Sequence, residues 1–91
     1  MKIGYSILVT GKVQGVGFRR WVVDQAIKHG IYGWTANLPD GKVEIQAEGS
    51  SENLIQFVKR VRTGPIGSKV ENICIKLVKI IDYQSFTIKI L

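Results

Sequence analysis

Ninety-one residues, 45% of them apolar and 22% charged, suit one small domain over 1–91 and exclude a chain too polar to build a core. A net charge of +6 favours anionic partners without naming one, and only Lys59, Arg60 and Arg62 cluster, where they complement the dipole at the end of a predicted helix. One cysteine rules out an internal disulfide, no apolar run approaches the ~18 residues of a membrane span, and no signal-peptide layout opens the chain, so the cytoplasm is the expected location.

Ile3, Tyr5, Ile7 and Val9 alternate with Gly4, Ser6 and Thr10, which predicts a first strand over 2–10. After a glycine-rich loop, Phe18, Val22, Val23, Ala26 and Ile27 form a helical stripe, so a first helix is expected over 19–29 with Gly30 as its cap. His29, in its last turn, reads as a dipole-friendly or solvent-facing residue rather than a base. A second strand over 31–37 and a third over 42–48 join as a hairpin through the turn Leu38-Pro39-Asp40-Gly41. Gly49-Ser50-Ser51 breaks the third strand, and either serine can cap a second helix over 51–63, ended by Gly64-Pro65. A long fourth strand over 70–81 carries Ile73, Ile75 and Leu77 on one face; Cys74, between the isoleucines, reads as a packing residue. Phe86, Ile88 and Ile90 mark a short terminal strand. This order fits an α+β ferredoxin-like two-layer sandwich, βαββαβ plus a short terminal strand, with two helices on one face of an antiparallel sheet.

The loop from Gly11 to Arg19 carries three glycines in seven residues, and its backbone N–H groups can form a concavity that holds an anion. The free N–H groups and positive dipole end of the next helix add to that field, and Arg19 in the first turn leans back over the loop. The same residues also describe an ordinary turn with an exposed arginine. Simple geometry brings Asn37 to this end of the molecule. The helix carries the chain away by roughly 16 Å at 1.5 Å per residue, and six strand residues return it by about 20 Å. An asparagine before a turn also has local reasons to be there, through side-chain-to-backbone bonding.

The pattern is more specific than its glycines. Val9, Gly11, Val13, Gln14, Gly15, Val16, Phe18 and Arg19 together resemble the signature of the acylphosphatase family, V-x-G-x-V-Q-G-V-x-F-R, at every fixed position. The run is neither a Walker A loop nor a dinucleotide fingerprint. Gly33 to Gly41 resembles the family's second motif, around its catalytic asparagine, and Gly64-Pro65 with Val70 resembles its late loop. The resemblance implies a ferredoxin-like fold and metal-independent hydrolysis of the carboxyl-phosphate bond of acyl phosphates, with no cofactor. It implies Arg19 and Asn37 as catalytic residues, Asn37 orienting the attacking water. The implied phosphate-binding loop is Gln14, Gly15, Val16, Gly17, Phe18 and Arg19.

Residue chemistry agrees with such a substrate. No histidine, cysteine, serine or carboxylate pair is arranged for covalent or acid–base work, and one His, one Cys and seven scattered acids build no metal-ligand cluster. A phosphate monoester usually demands such help for its alkoxide leaving group. An acyl phosphate leaves as a carboxylate whose parent acid has a pKa of about 4–5, and needs none. The rival reading is a non-catalytic phosphate- or partner-binding module, because acylphosphatase-like domains also occur inside larger carbamoyl-transfer maturation proteins. A nucleic-acid partner is not expected, since no basic stripe is interleaved with exposed aromatics. The expected partners are small acyl phosphates and inorganic phosphate, for a monomer that does not engage membranes.

Overall fold

The computed structural model describes residues 1–91. Its elements are β1 (Lys2–Lys12), α1 (Phe18–Lys28), β2 (Tyr32–Asn37), β3 (Val43–Ser50), α2 (Ser51–Thr63), β4 (Lys69–Val78) and β5 (Phe86–Ile88). The strands form one sheet in the order β4-β1-β3-β2-β5. Alternation turns Ile7 and Val9 of β1 and Val43, Ile45 and Ala47 of β3 to the same face. There they meet Phe18, Val22, Val23 and Ala26 of α1 and Leu54, Phe57 and Val61 of α2, in one buried cluster. This is the ferredoxin-like two-layer arrangement that the periodicities predict.

Local chemistry places the helix ends. Ser50 is the serine that caps α2, its Oγ accepting from the Asn53 N–H at 3.1 Å. Gly30 ends α1 in the left-handed region, at φ 68, while the Ile31 N–H reaches back to the Ala26 carbonyl and Ile31 itself is buried. The basic residues at the end of α2 do more than meet a dipole. Arg60 lies over the Trp21 ring, 5.6 Å from its centroid, and its Nε donates to Gln25, so it ties the two helices together.

Four expectations need correction. The sheet is mixed rather than antiparallel, because β5 runs parallel to β2, with Gly33 opposite Phe86 and Thr35 opposite Ile88. β3 does not break at Gly49; it continues to Ser50 because Ile3 and Lys2 pair with Gly49 and Ser50. Cys74 is exposed, since a residue between two inward-facing isoleucines must point to the other face of the sheet. β4 stops at Val78 instead of running to 81, and Leu77 on this edge strand is 75% exposed.

A single carboxylate explains the early end of β4. Glu48 is 2% exposed, and it accepts the backbone N–H groups of Ile81, Asp82 and Tyr83, the last at 2.9 Å. Those bonds bend the chain away from the β4 direction, with Asp82 at φ 71, and carry it from one edge of the sheet to the other. Tyr83 then accepts from the Trp34 indole at 3.2 Å, and β5 pairs beside β2. Glu48→Gln puts an amide N–H₂ among three N–H donors. It is expected to cost about 2–4 kcal/mol of stability, read as a fall in the urea midpoint. An unchanged midpoint would show that the crossing holds without the carboxylate.

Candidate active site

The loop between β1 and α1 opens a cavity of about 160 Å³ at the sheet end where α1 begins. Gly15 and Gly17 stand at φ 72 and 74, in the left-handed region, and a Cβ on either would meet nothing within 4 Å. Their backbone angles therefore call for glycine, and the lack of side chains leaves the loop amides open to whatever fills the cavity. Gly17 is also the N-cap of α1, and no side chain caps that end. The N–H groups of the first turn thus have no partner inside the helix, at the positive end of its dipole.

Loop and helix form one wall of the cavity, through Gln14, Gly15, Gly17, Arg19 and Arg20; Asn37 of β2 and Ile88 of β5 form the other. Val13 and Phe18 also line it, but at 1% and 2% exposure they belong to the core and offer it almost no surface. Val16 packs against the core and is not among the lining residues. Arg19 is half-buried and takes no part in the three ion pairs of the structure. Its planar cation is therefore unneutralised and faces a cradle of amides.

Across the cavity, the Asn37 Oδ1 is buried and accepts no hydrogen bond. An acceptor left in that state costs about 1–3 kcal/mol, which a ligand or water donating to it would recover. The Gln14 side chain fixes the distance between the two walls. Its Nε2 donates to the carbonyls of Leu38 and Lys42, at 2.9 and 2.8 Å, and so bolts the glycine loop to the turn that follows Asn37. Sequence reasoning assigned Gln14 only a backbone role. It also missed Ile88 and Arg20: the alternation in 86–90 was visible, but not which strand β5 would lie beside.

His29 sits at the other end of α1, so it is remote from this cavity. It is half-buried rather than solvent-facing, and its Nε2 has no partner. No three His, Cys, Asp or Glu side chains gather anywhere in the chain, and no helix is long and apolar enough to cross a membrane.

Comparison with known proteins puts this geometry in a family. The family model described as Acylphosphatase matches residues 5–88. An acylphosphatase of Bacillus licheniformis is 47% identical over 85 residues, covering 92% of this chain and 94% of that protein. The crystal structure of acylphosphatase from Bacillus subtilis superposes with a TM-score of 0.94 at 41% identity, over 96% of this chain and 98% of that one. A stretch of T. kodakarensis HypF is also similar, with a TM-score of 0.87 at 32% identity; it spans all of this chain but only 12% of HypF. A family match that runs through both walls of the cavity, with relatives covered almost end to end, means that this chain belongs to the acylphosphatase family.

Proposed function

We propose that this protein is an acylphosphatase that hydrolyses acyl phosphates to a carboxylate and inorganic phosphate without a metal ion. One observation supports the reading: an unpaired Arg19 and an Asn37 whose buried Oδ1 has no partner line one cavity, beside the uncapped N-terminus of α1. The amides of residues 14–19 and the Arg19 guanidinium hold the three phosphoryl oxygens, and their field tightens as charge spreads over those oxygens in the transition state. Water donates one hydrogen to the Asn37 Oδ1, which turns its lone pair toward phosphorus. As the new P–O bond forms, the bond to the acyl oxygen breaks and its electron pair leaves with the carboxylate. A neutral amide is a poor base, so the water's proton ends on a phosphoryl oxygen of the product. Carboxylate is stable enough at neutral pH to leave without a proton from the protein.

Gln14 has a part in this scheme as a positioning residue. Gln14→Ala frees the loop from the β2–β3 turn and is expected to lower kcat/KM about 10- to 100-fold through misplacement alone, while Gln14→Glu, which cannot donate to the two carbonyls, does the same. Turnover at the wild-type level in both would remove the tether from the account.

A second reading, a phosphate-binding module without turnover, stays open because this fold also occurs as a small part of the much longer HypF. Hydrolysis of benzoyl phosphate in the presence of a chelator, wild type beside Arg19→Gln, separates the two. Rapid turnover by the wild type alone supports a metal-independent enzyme; a folded wild type that binds phosphate and turns over nothing leaves the module. The proposal extends to a cytoplasmic monomer without nucleic-acid partners. A single exposed thiol suits a reducing compartment, and sedimentation tests the oligomeric state.

A further inference from the structure

We propose that Arg20 reads the acyl group, so that this site prefers acyl phosphates whose acyl portion carries an anionic substituent such as a second carboxylate. The inference rests on the acylphosphatase reading and concerns the part of the substrate that the phosphoryl cradle does not touch.

In-line displacement decides where that part lies. The attacking and leaving oxygens stand on opposite sides of phosphorus. Asn37, which holds the water, belongs to the sheet wall, and Ile88 shares that wall, since it pairs with Thr35 two residues before Asn37 on the same face. The leaving oxygen therefore points away from Asn37, along the rim of the loop and first-turn wall toward the cavity mouth. That wall offers few side chains. Gly15 and Gly17 have none, Gln14 is engaged with Leu38 and Lys42, and Arg19 belongs to the phosphoryl group.

Arg20 is what remains. It lines the cavity, its side chain is 77% exposed, and in a first turn it leans toward the helix N-terminus and the cavity mouth. Successive helical residues lie about 100° apart, so Arg19 and Arg20 divide the space, one over the cradle and one at the rim. The i,i+4 ion pair of Arg20 with Asp24 is 3.9 Å long at Nε, beyond hydrogen-bond length, and both side chains are exposed, so Asp24 takes no hydrogen bond from the guanidinium. A fork of five N–H donors held only by one long, solvent-exposed ion pair recognises a carboxylate in the way a lone apolar wall cannot.

The test compares 4-carboxybenzoyl phosphate with benzoyl phosphate, which differ only in a charge far from the scissile bond. Wild type, Arg20→Gln and Lys28→Gln are measured with both; Lys28→Gln removes one charge from the far end of the same helix. Wild type is expected to favour the carboxylated substrate in kcat/KM, and Arg20→Gln to lower that preference roughly fivefold, while Lys28→Gln keeps it and phosphate inhibits all three alike. An unchanged ratio in Arg20→Gln overturns the proposal, as does an equal fall for both substrates, which would make Arg20 part of the phosphoryl cradle. The same loss of preference in Lys28→Gln would attribute it to net charge and overturn it too. Wild type that turns over neither substrate defeats the functional reading and this inference together, whereas turnover with an indifferent Arg20 defeats only the inference.

Discussion

Arg19→Gln is expected to lower kcat/KM for an acyl phosphate by about 10³–10⁵-fold, the range seen when an arginine that stabilises a transferring phosphoryl group is removed. None of the structure's ion pairs engages Arg19, although the chain carries seven acids, so its charge is not spent on the fold. The first turn of an uncapped helix and two left-handed glycines surround it with N–H donors, which makes an environment for an anion and nothing else. Glutamine keeps one amide donor but loses reach, charge and fork, so inhibition by inorganic phosphate should weaken roughly 10- to 100-fold as well. Arg19→Lys restores a point charge without the two-pronged geometry, and should recover more of the phosphate affinity than of the rate. Steady-state kinetics with phosphate as competitive inhibitor reads both quantities; a variant that keeps its turnover would remove Arg19 from the mechanism.

Asn37→Ala is expected to separate the two quantities that Arg19 joins. Its Oδ1 faces the water rather than the phosphoryl oxygens in the proposed mechanism, so kcat should fall about 10²–10³-fold while the phosphate inhibition constant moves by less than about threefold. Stability supplies an independent check. The side-chain Oδ1 of Asn37 is buried without a donor, so removing it relieves an uncompensated desolvation and should leave the free energy of unfolding unchanged or raise it by about 1 kcal/mol. A loss of activity accompanied by a large loss of stability would instead mean that the asparagine holds the turn. Asn37→Asp should be worse than alanine for substrate binding, because it sets a negative charge beside a phosphoryl dianion. A large fall in phosphate affinity with Asn37→Ala would make the residue a ligand-binding group.

Much of this was legible in the sequence because it is local. Strand and helix periods reflect which side of a backbone a side chain leaves, and so β1, α1 and α2 lie within two residues of where alternation and the helical stripe predict them. Gly30, Ser50 and Gly64 end or begin their helices through bonds that span at most five residues. The glycines at 15 and 17 and the arginine at 19 fall within five residues, across the end of one loop and the first turn of α1, and Asn37 returns to them by simple counting of rises. What the sequence could not decide depends on partners distant along the chain. The carboxylate of Glu48 looks like one more solvent-facing residue of an alternating strand, and only the folded chain brings Ile81, Asp82 and Tyr83 to it, across more than thirty positions. That contact ends β4 and directs β5 to the far edge of the sheet, where it runs parallel to β2 and brings Ile88 into the cavity wall. Cys74 departs from expectation for the same reason in reverse: the period sets it opposite its neighbours, but only the one-sided packing of the helices leaves its face open. Local rules therefore determined the elements and the chemistry of the loop, while long-range pairing, which no local period encodes, decided the strand order and the second wall of the site.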